Sequence, residues 1–286
     1  MSNESIGFSE QHSRAGNFGQ VSMQTLNREI RLLHKPVYPD WPLILGYHSV
    51  SQHRQDALAV SVADFEYQMA WLYQHEYRAI TLAQFMSQPF TKKERIVILT
   101  FDDGYADNYT LAFPILKKYG FVGTVFLVSD YVNTDHIFYW DRRKITAQSD
   151  PAWYQILTWA QVEEMADYGI EFGSHTCTHP ELAKISPEVC MEEVARSRVD
   201  LEAKLGREIV SFCYPRGNLN SDVIQMVEKA GYQCAVVTPP RYGIPLNQFT
   251  LRRIGVNYAN KAWFFRLKTW GFVRVNYERI KRFQTS

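Results

Sequence analysis

Composition alone gives this chain few distinguishing marks. Its 286 residues hold only four cysteines, Cys177, Cys190, Cys213 and Cys234. None forms a Cys-x-x-Cys pair and the spacing suggests no disulfide framework, so free thiols and a reducing compartment are expected. The formal net charge is +1, a balance that favours no polyanionic partner, and no nucleic acid is expected to bind. No apolar run is long enough to cross a bilayer. The start, Met1-Ser2-Asn3-Glu4-Ser5, has neither the basic nor the apolar segment of a secretory leader, so a cytoplasmic protein is expected. Repeats of fixed period and low-complexity blocks are also missing, which excludes a solenoid. What is present is an ordinary globular composition, 46% hydrophobic and 21% charged, at a length that a (β/α) barrel reaches as one unit.

The order of patterns supports that architecture. Residues 1–40 are polar, with one short helical stretch at 25–33, and read as a flexible extension. Pro36, Pro39 and Pro42 then stiffen the entry, since each fixes φ. Over 41–260, apolar strand candidates at 43–50, 96–101, 123–128, 170–175, 209–214, 233–237 and 251–256 alternate with helical spacing. Ser61, the capping-box pair Thr158 and Gln161, and Ser186-Pro187 mark helix starts. Gly120, Gly206 and Gly231 mark stops. The alternation predicts one α/β barrel. Residues 261–286 depart from it, interleaving Trp263, Phe264, Phe265, Trp270, Phe272 and Tyr277 with Lys261, Arg266, Lys268, Arg274, Arg279, Lys281 and Arg282. This element is either a final helix with a solvated basic face or an amphipathic segment that meets a polyanionic partner or anionic lipid heads, the latter at the inner membrane surface.

Three strand ends carry chemistry. Ile96-Val97-Ile98-Leu99 is a run buried on both faces, as in a parallel sheet, and it leads through Thr100-Phe101 into Asp102-Asp103-Gly104. Adjacent carboxylates at the end of such a strand lose hydration unless a cation or donors replace it. They either cap a turn or belong to a site at the C-terminal mouth of a barrel. The strand over 43–50 likewise reaches a polar residue, His48, which alone is as readily a packed histidine. In Gly173-Ser174-His175-Thr176-Cys177-Thr178-His179-Pro180, two histidines four apart can face one point. Together with a strand-end carboxylate they make a catalytic-type metal site with open positions. Cys177 is assigned to packing.

Thr100-Phe101-Asp102-Asp103-Gly104 followed by His175-Thr176-x-x-His179 resembles the polysaccharide deacetylase family (carbohydrate esterase family 4, the NodB-homology domain), over about residues 43–256. The resemblance implies a distorted (β/α) barrel of about seven strands, NodB-homology type. It implies hydrolysis of acetyl groups from amino sugars of a polysaccharide, oligosaccharide or lipid-linked glycan with a divalent metal, zinc first, then cobalt, nickel or iron. It further implies Asp103, His175 and His179 as metal ligands and Asp102 as general base. The family's third motif, Arg-x-Pro-Tyr-Gly, is met by Cys213-Tyr214-Pro215-Arg216-Gly217. Pro215 and Gly217 match, cysteine stands in the arginine place, and Arg216 in the tyrosine place.

Arg216 is therefore a catalytic candidate, through its backbone N–H toward an oxyanion or its side chain toward Asp102. The second role is equally open to Arg252 and Arg253. No histidine follows His179, but Tyr47-His48 resembles the N-terminal motif of a poly-N-acetylglucosamine deacetylase-like subset, which makes His48 the expected acid. Tyr214, Pro215, Trp140 and Asp141 are expected against the sugar, with core packing the alternative for the aromatic run 138–141. A cytoplasmic precursor of an exopolysaccharide or envelope glycan is the expected setting. The alternatives are hydrolysis of another non-peptide C–N bond in a small molecule, and a catalytically degenerate glycan-binding module.

Overall fold

The computed structural model describes residues 42–269, apart from 92–93, 148, 239–243, 245 and 260. The extension expected over 1–40, its helical stretch at 25–33, and residues 270–286 lie outside the described residues. In chain order the elements are β1 (Leu43–Tyr47), β2 (Ser49–Val50), β3 (Ala59–Val60), α1 (Val62–Gln74), β4 (Arg78–Ile80), α2 (Leu82–Ser87), β5 (Ile96–Phe101), α3 (Phe113–Tyr119) and β6 (Thr124–Leu127). They continue with α4 (Tyr139–Arg142), α5 (Trp159–Tyr168), β7 (Glu171–Ser174), α6 (Pro187–Leu205), β8 (Ser211–Cys213), α7 (Ser221–Lys229), β9 (Cys234–Val237), β10 (Leu251–Arg252), β11 (Ile254–Gly255) and α8 (Ala262–Thr269).

The main sheet runs β10-β9-β8-β7-β6-β5-β1-β11, with β4 also on β5, and every pairing is parallel. Its two ends are halves of one segment. β10 pairs with β9 through Leu251 and Arg252, and β11 pairs with β1 through Ile254 and Gly255. The chain changes partner at Arg253 and so nearly closes the sheet into a barrel of seven strand positions.

Period-two alternation decides what each strand residue faces. Inside the barrel, Ile44, Ile98, Phe126, Cys213, Cys234, Val236 and Leu251 form one buried cluster. Outside, Val97, Leu99 and Phe101 belong to a larger core with Phe65 and Leu72 of α1 and Leu116 of α3. Each such burial stabilises by roughly 1.5–3 kcal/mol. The inward series of β5 is Ile96, Ile98, Thr100, and its next member is Asp102; in β1 it is Ile44, Gly46, then His48. The alternation that fills the barrel also aims these polar side chains at its mouth.

Capping holds as the sequence suggests. Ser61 Oγ accepts the Asp64 N–H at 3.0 Å, Thr158 and Gln161 form a capping box, and Ser186 caps α6, which ends at left-handed Gly206. Three expected elements differ. The strand over 43–50 breaks at His48 and that over 251–256 at Arg253. The helical segment that ends at the expected stop Gly120 opens as a π-helical turn, Asn108–Ala112, because Pro114 has no N–H to give to Thr110. The described start of the basic aromatic element is a packed helix: Phe265 is buried edge-to-face with Trp71, Lys261 pairs with Asp64 at 2.8 Å, and Arg266 donates to Tyr67 Oη at 2.6 Å. Among the described residues no helix is long and apolar enough to cross a membrane.

Candidate active site

At the barrel mouth Asp102 is held by Arg253 from the closing seam. Nη1 and Nη2 donate to the two carboxylate oxygens at 2.6 Å each, while Nε and Nη1 also donate to Thr238 Oγ1 at 2.8 Å and Thr100 Oγ1 at 2.9 Å. Both partners are buried. Burial would raise the Asp102 pKa, but the guanidinium charge and its paired hydrogen bonds outweigh it and hold the carboxyl well below its usual range. Cys213 supplies room: Arg253 Nη2 lies 3.2 Å from its Sγ, and Gly46 keeps the other side open, since a Cβ there would sit 3.4 Å from Nε. Of the three arginines left open by the sequence, Arg253 is the one on Asp102. The Arg216 side chain is not; it is exposed and lies over the rings of Tyr139 and Trp140.

Asp103 has the opposite surroundings. It and Gly104 are both left-handed, at φ 72° and 70°, which turns its carboxylate away from the inward series toward His175 and His179. Its Oδ1 lies 3.6 Å from His175 Nε2 and 3.5 Å from His179 Nε2. Among the described residues four buried side-chain polar atoms lack a partner, and Asp103 Oδ1 and His179 Nδ1 are two of them. Burial and the neighbouring Asp102 charge raise the Asp103 pKa well above its ordinary value.

His175 Nδ1 lies 2.7 Å from the Cys213 carbonyl. A carbonyl only accepts, so Nδ1 carries the proton and Nε2 presents a lone pair. Burial favours that neutral form, with the pKa lowered to about 4. The histidine loop is itself tied down. Glu193 of α6 accepts from the N–H groups of Cys177 and Thr178 at 2.9 Å each and from Thr178 Oγ1 at 2.6 Å. Thr176 and His179 are left-handed, at φ 70° and 64°, a strain kept where surrounding structure over-determines the backbone.

Asp103, His175 and His179 offer ligand atoms within 4.8 Å of one another. Two imidazoles and a buried carboxylate oxygen without a donor fit a divalent cation with open positions. Asp102, His175 and Cys213 also converge, but both Asp102 oxygens accept from Arg253, and burial pushes the Cys213 thiol well above its normal pKa. In the third group, Asp130, Cys177 and Asp200, Arg196 already bridges the two carboxylates.

His48 Nε2 lies 3.8 Å from Asp102 Oδ2, with its side chain about a quarter exposed (26%). Its pKa is lowered by burial, with the Asp102 charge opposing. Two residues that the sequence reading did not single out fix its backbone from the π turn. Asn108 Nδ2 donates to the His48 carbonyl at 2.7 Å, and Asp107 accepts from Ser49 Oγ and from the Val50 N–H. Burial raises the Asp107 pKa to about 7 despite these hydrogen bonds.

The expected sugar-facing residues divide. Trp140 lies beside the ligand set, its ring centroid 4.9 Å from that of His179, stacked on Phe138 at 4.4 Å. Asp141 is wholly buried and engaged by Arg54 at 3.0 Å, Lys144 at 2.9 Å and Tyr105 Oη at 2.5 Å, so it serves an internal network. Tyr214 is a core residue whose hydroxyl donates to the Phe249 carbonyl at 3.0 Å. Pro215 is buried as well and acts through the turn that carries Arg216. These three side chains present no free group to a sugar.

A parallel barrel with an Asp-His-His set beside an arginine-held aspartate has the architecture of a metal-dependent hydrolase. The polysaccharide deacetylase family profile matches residues 90–235, just over half of the chain, and the chain belongs to that family. YxkH of Bacillus subtilis is 34% identical over 200 residues, which cover 69% of this chain and 64% of YxkH, less than two thirds of that protein. The poly-beta-1,6-N-acetyl-D-glucosamine N-deacetylase of Staphylococcus epidermidis is 26% identical over 224 residues, covering 74% and 72%. Among solved structures, BC0361, a polysaccharide deacetylase from Bacillus cereus, superposes with a TM-score of 0.65 at 25% identity, over 79% of this chain and 68% of that one.

Proposed function

We propose that this chain is a divalent-metal-dependent N-deacetylase of amino sugars in a polysaccharide, oligosaccharide or lipid-linked glycan. The observation that carries the reading is the pair Asp102 and Asp103: one carboxylate saturated by Arg253, the next left without a donor between two histidines. Asp103, His175 and His179 would hold the cation, for which zinc is the first choice, with cobalt, nickel or iron as alternatives. A cation there supplies Lewis acidity, polarising an acetamide carbonyl and lowering the pKa of water.

The remaining work belongs to the chain. Arg253 keeps Asp102 ionised and aimed, so Asp102 accepts the proton of the attacking water. Its depressed pKa makes it a poor place for that proton to stay. The proton passes to His48, 3.8 Å away, whose resting form is neutral, and from there to the departing amine as the C–N bond breaks and acetate leaves. The backbone N–H of Arg216, which makes no hydrogen bond among the described residues, is a donor for the oxyanion. Trp140, beside the ligand set, lines the approach that a sugar ring would take.

The named activity of the staphylococcal relatives supports N-acetylglucosamine polymers as the substrate class. The setting we propose is synthesis of an exopolysaccharide or envelope glycan on the cytoplasmic side, with residues 261–286 at the inner membrane surface. The test is acetate release from N-acetylglucosamine oligomers by the zinc- or cobalt-loaded protein. Acetate that depends on Asp102, Asp103 and His48 is expected. No acetate from any acetylated glycan at full metal occupancy would overturn the reading.

A further inference from the structure

Among the described residues, Arg253, Arg54 and Arg216 stand at the mouth, and the first two have their charge met inside the protein. Arg253 is matched by Asp102, and Arg54 by Asp56 and Asp141. Arg216 differs. Among the described residues no carboxylate pairs with it, and its one side-chain hydrogen bond goes from Nη2 to the neutral hydroxyl of Tyr139. Its guanidinium carbon lies 5.2 Å from the Tyr139 ring centroid and 5.3 Å from that of Trp140. The Trp140 ring is itself 4.9 Å from that of His179, and the Arg216 charge is felt at both Asp103 and His179, so this unmatched charge stands beside the ligand set. Its surroundings hold it there: the residue is left-handed at φ 56°, in a short turn between buried Pro215 and Gly217. Arg143 reinforces the same edge, 5.9 Å from the Tyr139 ring.

The electrostatic balance points the same way. A divalent cation on Asp103 would offset that carboxylate, and Asp102 is already matched by Arg253, so neither aspartate would supply a spare negative charge. Asp141 is neutralised by Arg54 and Lys144. The exposed guanidinium then makes the mouth net positive.

We propose that Arg216, seated on Tyr139 and Trp140, is a subsite for an anionic oxygen group, a carboxylate or a phosphate, on the sugar beside the acetamide that is hydrolysed. The assignment rests on the deacetylase reading and narrows its substrate to acidic acetylated glycans. A planar guanidinium with free N–H groups suits either anion by paired hydrogen bonds, and its preset position spares the ordering cost of a mobile side chain. The same charge steers an anionic chain toward the mouth in a salt-dependent way.

The test compares chitotetraose with two matched derivatives, one oxidised at C6 to carboxylates and one phosphorylated at C6. Both kcat/KM for acetate release and the dissociation constant by calorimetry are read on the metal-loaded full chain. We expect the wild type to favour at least one anionic tetramer by about tenfold. That preference should shrink when salt is raised from about 0.05 M to about 0.5 M. The arm that responds tells carboxylate from phosphate. Arg216→Gln should bring the ratio of anionic to neutral substrate close to one, and Arg216→Lys should restore part of it, which a stacking role alone would not do. Equal use of all three tetramers by the wild type, or a preference surviving in Arg216→Gln, would overturn the subsite. Absence of acetate from every tetramer with the binding preference intact would instead remove the deacetylase reading and leave the subsite standing.

Discussion

One peptide step separates two carboxylates with opposite surroundings. Asp102 continues the inward series of its strand and meets a guanidinium on both oxygens. Asp103, turned aside by a left-handed backbone, faces two imidazoles and keeps an oxygen without a donor. Burial penalises both charges alike, yet the pKa of the first is driven down and that of the second up. The partners decide the sign. On the proposed reading, the carboxylate satisfied by the protein works on water and the unsatisfied one is completed by a cation. The same contrast holds at the next layer: the base side is tied by the seam residue Arg253, and the ligand side by Glu193 through the histidine loop.

The largest effect should come from the ligand side. Asp103→Ala should abolish metal retention and lower acetate release at least about 10³-fold, read by metal analysis and turnover on the same sample. A variant that kept its metal would break the comparison. Next is Arg253→Gln, which strands Asp102 as a buried charge at a cost of about 3–5 kcal/mol. It should also move the acidic limb of the kcat/KM profile to higher pH, because Asp102 loses what depresses its pKa. Adding Asp102→Asn should recover much of the stability but none of the activity, a coupling that chemical denaturation of the double-mutant cycle measures.

Asn108→Ala should lower kcat by about tenfold with metal content unchanged, since it frees the backbone of His48 without touching the ligands. The smallest effect is a stability slope at Asp107, whose folded pKa is raised to about 7 from an ordinary 3.8. The folded chain keeps a proton that the unfolded chain has released in that interval. Its contribution is therefore full at low pH and is lost as pH rises through about 7. Asp107→Asn should flatten the fall of melting temperature between about pH 4 and pH 7.

Much of this was legible in the sequence, for local reasons. Strand runs, the caps at Ser61, Thr158 and Ser186, and the glycine stops depend on neighbours a few residues away. The meeting of His175 and His179 with a strand-end carboxylate was legible because a strand end and a tight loop carry them, while the choice of Asp103 over Asp102 came with the family resemblance. Arg253 was not separable from Arg252 and Arg216, because its partner lies 151 residues away across the barrel seam. Strand parity carried the missing signal: with Leu251 inside the barrel, Arg253 faces inward with it. Asp141 and Tyr214 look like groups reaching for a ligand until burial shows them satisfied by Arg54, Lys144, Tyr105 and the Phe249 carbonyl. The π turn that holds His48 was hidden within a good helical pattern, since its effect arises from packing on β2 rather than from propensity.

The division of labour between the two aspartates is tested most directly by loading Asp102→Asn and Asp103→Asn with zinc side by side. Bound metal and acetate release are then measured on each. The account predicts full metal occupancy with acetate release down at least about 10³-fold for Asp102→Asn, and loss of both for Asp103→Asn. Metal lost from Asp102→Asn, or acetate still released by it at the wild-type rate, would contradict the account.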